Sequence, residues 1–109
     1  MKTILLFLIL SFLTPTLCFS QENEKSLLIF SAKWCKFCTK MKNDMNNNPA
    51  VAEALKEYSI IELDYDTDKD IAKSHQVKTL PTIIIFQNGK EISRKTGYNN
   101  VRDLSKFLE

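Results

Sequence analysis

Two cysteines separated by two residues, Cys35 and Cys38, are the side chains of this chain with the widest range of chemistry. Such a pair can cycle between a dithiol and a disulfide, supply two thiolates to a zinc site, or form a structural disulfide. A disulfide stabilises a protein mainly by closing a loop of the unfolded chain, and closing two intervening residues gains little. The spacing therefore argues against a purely structural disulfide.

Metal sites need more ligands than the sequence offers. A structural zinc site usually takes four cysteine and histidine ligands, and the chain holds one histidine, His75, in a polar stretch where we expect a surface residue. The stretch "DYDTDKD" (64–70) alternates acids as a calcium loop does, but Lys69 and His75 stand where that loop needs Gly and Glu. We expect no metal and no organic cofactor, and interpret the acids as caps of the following helix.

The first twenty residues have the order of a secretory signal peptide: Lys2, an apolar run over 4–10, Pro15, and a small residue at Ser20. The run is about ten residues long, whereas a helix that spans a bilayer needs roughly 20. We expect cleavage after Ser20, in preference to a stable membrane span or to a lipid-modified Cys18. The predicted location is a bacterial periplasm, or else the exterior, where disulfides persist.

Removal of residues 1–20 leaves 89 residues and lowers the formal net charge from +2 to +1. That length allows one small domain. The near-neutral balance argues against nucleic acid as a partner, because such proteins present a strongly basic face. Cys35 and Cys38 become the only cysteines of the mature chain. We predict a polar leader over 21–26 and a single domain over 27–109.

The pattern of apolar residues predicts four strands. The continuous apolar run 27–32 is typical of a strand buried on both faces. Residues 59–65 and the β-branched run 82–86 are predicted as the second and third strands. Asn88-Gly89 is the favoured two-residue hairpin turn, so 90–96 should return antiparallel to the third strand.

Helices are predicted between these strands and at the end of the chain. Phe37, Met41 and Met45 have helical spacing, Asn48 can cap a second helix that runs to about residue 58, and Asn100 can cap the last. A short helix is predicted over 68–76. The fold class is therefore α/β, a mixed sheet of parallel strands and an antiparallel C-terminal hairpin, covered by helices.

This arrangement gives the two cysteines different surroundings. Cys35 falls where the first strand gives way to a helix, and the free N–H groups and positive dipole end of a helix stabilise a thiolate. Lys33 and Lys36 add positive charge. Cys38 lies one turn along, within reach of Cys35 but expected deeper. We predict that Cys35 attacks a disulfide and that Cys38 resolves the mixed disulfide.

Four sequence features together resemble the thioredoxin superfamily: "AKWCKFC" (32–38), "TLPT" (79–82) before an apolar strand, "FQNGKEI" (86–92), and Gly97. Exported thioredoxin-like proteins and the C-terminal domain of the thiol–disulfide interchange protein are similar in their broken first helix. The resemblance covers residues 27–109. It implies a thioredoxin-like fold, here without the leading strand and helix, because residues 21–26 are too few to form them.

The same resemblance implies an activity and a set of site residues. The chain is expected to be a monomeric thiol–disulfide oxidoreductase that exchanges disulfides with protein substrates and with a redox partner protein. Cys35 matches the nucleophile and Cys38 the resolving cysteine. Trp34 matches the tryptophan beside the site, and Pro81 the cis-proline that faces the cysteines. Leu80, which precedes that proline, is expected to bind the substrate backbone.

Two departures from the family pattern concern the proton of Cys38. Ile29 stands where thioredoxins bury an aspartate, and Glu62 stands where a lysine is usual. One hypothesis is that Glu62 is half-buried and acts as general base for Cys38. The alternative is that Glu62 points to solvent at a strand edge.

Lys36 and Phe37, between the cysteines, are expected to tune the redox potential. Lys36 should stabilise the thiolate and shift the protein toward oxidation of substrates. Phe37 offers an apolar contact for partners. A reductase is nevertheless slightly favoured. A thioredoxin-fold binding module that docks a partner with little turnover is the alternative function.

Overall fold

The computed structural model describes residues 24–109. The predicted signal peptide (1–20) and residues 21–23 of the predicted leader lie outside this range. Within it, no helix has both the length and the apolar character needed to cross a membrane.

Four strands form one mixed sheet in the order β2-β1-β3-β4. β1 pairs parallel with β2 and antiparallel with β3, and β4 pairs antiparallel with β3. The predicted mixed α/β sheet is thus confirmed, with a further antiparallel pairing in its centre. The strands are β1 (Lys25–Ser31), β2 (Tyr58–Asp64), β3 (Thr82–Gln87) and β4 (Lys90–Thr96). Asn88 and Gly89 join β3 to β4 with φ angles of 56° and 82°, the left-handed values that a tight hairpin turn requires.

β1 begins two residues earlier than predicted, so Lys25 and Ser26 belong to the sheet and not to a loose leader. The reason is that β1 is central: Lys25 pairs with Tyr58 on one side and with Gln87 on the other. Hydrogen bonds from two neighbouring strands hold these polar residues in an extended conformation that their side chains alone do not favour.

Four helices complete the domain: α1 (Lys36–Asn47), α2 (Pro49–Leu55), α3 (Lys69–Ser74) and α4 (Val101–Leu108). Asn48 ends α1 and caps α2, because its side-chain oxygen accepts the N–H of Val51 at 3.0 Å. The Asn100 side chain accepts the N–H of Asp103 at 2.9 Å at the start of α4, as predicted. α2 stops at Leu55, short of the predicted end near residue 58, because Tyr58 already pairs in β2.

The sheet separates two apolar clusters of different size. The larger joins β1 and β3 to α1, α2 and α4 and includes Leu27, Ile29, Met41, Met45, Val51, Ile83 and Leu104. The smaller lies on the opposite face, under α3, and consists of Leu28, Phe30, Ala72, Val77 and Ile84. Burial of both faces of β1 matches its continuous apolar sequence. The larger cluster holds α1 against the sheet and so fixes the place where that helix begins.

His75 is not the surface residue that its polar neighbourhood predicts. It is half-buried at the C-terminus of α3, with its ring centroid 5.9 Å from that of Phe30 and 5.6 Å from that of Phe86. α3 is a short helix on this face of the sheet, so the residue at its end packs onto the aromatic side chains that the helix leaves uncovered.

Candidate active site at the cysteine pair

The start of α1 positions Cys35. The chain leaves β1, makes a tight turn in which the Cys35 N–H donates to the Ala32 carbonyl at 3.1 Å, and enters the helix with Cys35 as its N-cap. The Sγ atom of Cys35 accepts the backbone N–H of Cys38 at 3.1 Å. A sulfur in the N-cap position accepts the free N–H groups of the first turn and faces the positive end of the helix dipole. Both effects favour the thiolate of Cys35.

The two cysteines form a disulfide, with their Cα atoms 5.2 Å apart. Cys35 is 6% exposed and Cys38 is 1% exposed. Ala32, Tyr65 and Leu80 pack around the pair. The order of exposure is the one expected from their positions on the helix, so an approaching substrate meets the sulfur of Cys35 before that of Cys38.

Pro81 immediately precedes β3, and its neighbour Leu80 packs on the pair. The peptide bond between Leu80 and Pro81 is cis, as the sequence resemblance predicts, and Pro81 is fully buried. Its carbonyl accepts the N–H of Gly97 at 2.6 Å, and Gly97 adopts a φ of 79° that other residues rarely take. Leu80 is half-buried against the cysteines. Leu80 therefore lies against the pair, and the binding of substrate by Leu80 and Pro81 remains a prediction.

Two large apolar side chains flank the disulfide and face solvent: Trp34 is 65% exposed and Phe37 is 60% exposed. The indole N–H of Trp34 donates to the Asp66 carboxylate at 2.9 Å, which ties the ring to the loop after β2. Lys36 is also exposed. Exposed apolar surface beside a reactive group is the property of a protein-docking site. The predicted roles of Trp34, Lys36 and Phe37 remain predictions.

Sequence reasoning did not select Tyr65 and Asp66, although both border the site. β1 and β2 are parallel and end side by side, with Ser31 opposite Asp64. The N–H of Tyr65 donates to the Ser31 carbonyl at 2.8 Å, which draws the residues after β2 toward the turn that carries Cys35. The predicted parallel pairing of these strands was the signal that could have identified them.

The acidic loop after β2 is held by its own side chains. Asp64 accepts the N–H of Asp66 at 2.8 Å, and Asp68 accepts the N–H of Asp64 at 2.9 Å. Asp68 stands at the N-cap of α3 but its side chain makes no capping bond, so the prediction that these acids cap the helix is wrong. Within residues 24–109, no group of three or more His, Cys, Asp or Glu side chains is placed to hold a metal ion.

Glu62 does not have the burial that the general-base hypothesis required. Its side chain is 59% exposed and pairs with Lys42 of α1 at 3.1 Å. Its neighbour across the sheet, Ile29, is 2% exposed and belongs to the larger apolar cluster. The prediction that Glu62 is half-buried is therefore wrong. The alternative, that Glu62 points to solvent at a strand edge, agrees with the structure. β2 is an edge strand of the sheet, where the end of this side chain reaches water beside Lys42 of α1.

A family model and the similar proteins of known name all point to one family. The model of the Thioredoxin-like domain family matches residues 16–109. Thioredoxin 2 of Plasmodium falciparum is 31% identical over 90 residues, which cover 83% of this chain and 56% of the relative. The thiol:disulfide interchange protein DsbD of Campylobacter jejuni is 28% identical over 98 residues, which cover 82% of this chain and 17% of DsbD. The chain thus spans about half of the first relative and a small part of the second.

A solved structure supports the fold. Fasciola hepatica thioredoxin superposes with a TM-score of 0.69 at 24% identity, over 81% of this chain and 81% of that one. At this level of identity the likeness concerns the backbone architecture.

Proposed function

Because this chain belongs to the Thioredoxin-like domain family, we propose that it is an exported thiol–disulfide oxidoreductase that acts on protein disulfides. The observation that carries the proposal is the geometry of the pair: Cys35 caps α1 with its sulfur toward the Cys38 N–H, and Cys38 lies within disulfide distance beneath it. This geometry supports a stabilised nucleophile at Cys35 and a resolving thiol at Cys38.

In the reducing direction, the Cys35 thiolate attacks one sulfur of a substrate disulfide. A Cys35–substrate bond forms as the substrate S–S bond breaks, and the departing thiolate takes a proton from water. The Cys38 thiolate, which has released its proton to solvent, then attacks the Sγ atom of Cys35. The second substrate thiolate leaves and the Cys35–Cys38 disulfide forms. Two electrons have passed to the substrate, so a dithiol partner must reduce the pair before the next cycle.

The surface around the pair offers the substrate two kinds of contact and places a positive charge next to the nucleophile. Trp34 and Phe37 offer exposed apolar area on the side of the helix start. Leu80 lies against the disulfide, where its backbone can align an extended substrate segment ahead of β3. Lys36 is exposed next to Cys35 and favours the thiolate by its charge. These contacts position the substrate sulfur near the Sγ atom of Cys35, the more exposed residue of the pair.

Turnover of insulin disulfides tests this activity. The purified protein, with dithiothreitol as reductant, should reduce insulin faster than dithiothreitol alone. The Cys35→Ser variant should lose that acceleration. The Cys38→Ser variant should accumulate a mixed disulfide with the substrate, because its resolving thiol is gone. A folded protein that gives no acceleration and no mixed disulfide would contradict the proposal and favour a binding module with little turnover.

Electron flow toward the substrate, and export, are further parts of the proposal. Export is supported by the signal-peptide pattern of residues 1–20. The reduction potential of the Cys35–Cys38 pair, measured against dithiothreitol and glutathione buffers, decides the direction. A value toward about −270 mV supports a reductase, and one toward about −120 mV supports an oxidase. The charge of Lys36 should shift the potential toward the second value.

A further inference from the structure

A groove lined by three lysines lies beside the cysteine pair. It has a volume of about 490 Å³ and runs between α3 and the segment that leads to Pro81. Its lining consists of Tyr65, Lys69, Lys73, Gln76, Val77 and Lys78. We call it the lysine groove. Val77 is 4% exposed and forms an apolar floor, whereas the three lysines are exposed at the rim.

Tyr65 connects the lysine groove to the reactive sulfurs. Its side chain lines the groove and also packs on the cluster of Ala32, Cys35 and Cys38. At the other end, Lys78 is two residues from Leu80, which packs on the same cluster. The groove is therefore within reach of the residues next to a disulfide that lies at Cys35.

The charged side chains that line the groove are all positive. No acidic residue lines it, and within residues 24–109 none of its three lysines forms a salt bridge. The nearby acids Asp66, Asp68 and Asp70 line a separate depression that shares only Lys69 with the groove. Lysines that converge on one concave surface raise the local concentration of anionic groups and steer them into it.

We propose that the lysine groove binds an acidic segment of the protein substrate, next to the disulfide that the cysteine pair exchanges. This inference rests on the proposed function and names the substrate class of the same site. Three exposed charge pairs, at the modest strength of surface ion pairs, give a preference of about five- to tenfold for an acidic over a neutral flank. The preference arises from electrostatic attraction when the substrate binds, so it depends on ionic strength.

Two disulfide peptides that differ only in their flanks test the groove. One carries four glutamates on each side of the disulfide, and the other carries four glutamines. The reduced protein should reduce the acidic peptide about five- to tenfold faster at 10 mM salt, and the ratio should fall toward one at 1 M salt, where charges are screened within about 3 Å. Equal rates for the two peptides at low salt would overturn the proposal.

Matched triple variants separate the groove from overall charge. Both triples lose three positive charges at exposed positions. The groove variant is Lys69→Gln, Lys73→Gln and Lys78→Gln, and the control is Lys56→Gln, Lys90→Gln and Lys106→Gln. We expect the preference for the acidic peptide to disappear in the groove variant and to persist in the control. An equal loss in both triples would overturn the proposal, because net charge would then explain the preference.

A binding measurement distinguishes failure of the groove from failure of the activity. If the wild-type protein reduces neither peptide, the proposed function fails. Fluorescence anisotropy of the same labelled peptides with the Cys35→Ser/Cys38→Ser protein then decides the groove alone. Tighter binding of the acidic peptide that is lost in the groove variant upholds the inference. Equal binding of both peptides overturns it.

Discussion

Cys35 and Cys38 are separated by two residues, yet the start of one helix gives them opposite properties. Cys35 stands at the N-cap, where its sulfur accepts an N–H and faces the positive end of α1. Cys38 lies one turn further in and is 1% exposed. In the proposed mechanism a substrate sulfur therefore reaches Cys35 first, and Cys38 stays shielded until a mixed disulfide forms at Cys35. The proposed division into nucleophile and resolving thiol rests on this difference in surroundings.

At the same scale, Glu62→Gln should leave the resolving step unchanged within about twofold. Glu62 is 59% exposed and pairs with Lys42, so its carboxylate lies largely in water and lacks the burial that the general-base hypothesis requires. A positioned general base contributes about 10²–10⁴-fold to a rate, so its loss is easily measured. Stopped-flow release of the second substrate thiol from the mixed disulfide provides the measurement.

Lys42→Gln is the matched control for this variant, because it removes the other half of the same surface ion pair. Both variants should release substrate at the wild-type rate at every pH that is measured. A tenfold or greater slowing in Glu62→Gln, absent from Lys42→Gln, would restore Glu62 as the proton acceptor of Cys38.

At the scale of elements, Asn48 joins the two helices that follow the cysteines. Its backbone N–H donates to the Asp44 carbonyl at 2.9 Å and ends α1, while its side chain accepts the N–H of Val51 and starts α2. Val51 is fully buried, so α2 must begin at this point for that side chain to reach the larger apolar cluster. Asn48 thus sets the break between α1 and α2 and the position from which α2 packs on the larger apolar cluster.

Asn48→Ala should lower the free energy of unfolding by about 1 kcal/mol, because the N–H of Val51 loses its acceptor at the start of α2. Asn46→Ala, an exposed position inside α1, is the control and should change the stability little. Urea unfolding followed by circular dichroism measures both variants. Equal stability of Asn48→Ala and Asn46→Ala would show that the cap contributes nothing measurable.

At the scale of the whole molecule, two tyrosines link the C-terminal segment to earlier elements. The Tyr98 hydroxyl donates to the Asp44 carboxylate of α1 at 2.6 Å, and the Tyr58 hydroxyl donates to the Leu108 carbonyl at 2.8 Å. The hydrogen bond from Tyr98 lowers the pKa of Asp44 below its ordinary value of 3.8. Burial, with the same hydrogen bond, raises the pKa of Tyr98 above 10.0.

These directions predict how the stability of the fold varies with pH. Asp44 has a lowered pKa in the folded protein, so its contribution is complete well above pH 3.8 and is lost as the pH falls through the folded value. Tyr98→Phe should therefore be less stable than wild type at pH 7, and the difference should be smaller at an acid pH well below 3.8. Urea unfolding at the two pH values measures this difference.

Tyr58→Phe is the control, because the acceptor of Tyr58 is a backbone carbonyl that does not titrate in this range. Its loss of stability relative to wild type should be the same at both pH values. A difference for Tyr98→Phe that is equally large at acid and neutral pH would contradict the role of the Asp44 charge.

Local signals in the sequence determined most of the elements and the place of the reactive pair. Asn48 and Asn100 satisfy neighbouring N–H groups, and Asn88-Gly89 adopts the left-handed angles of a hairpin turn, whatever the rest of the chain does. The position of Cys35 between an apolar run and a helical pattern is likewise visible in the adjacent residues. These features could be predicted because the interactions that create them span a few residues.

Only the tertiary structure determined the features that depend on the order of strands in the sheet and on which helix covers each face. Alternation along β2 places Glu62 toward α1, but only the edge position of that strand leaves its carboxylate in solvent. His75 is half-buried because α3 leaves Phe30 and Phe86 for it to cover. The lysine groove exists because parallel β1 and β2 end together, which brings Tyr65 to the cysteines while α3 supplies Lys69 and Lys73. Contacts between residues distant in sequence have no local signal, so only the packed molecule determines them.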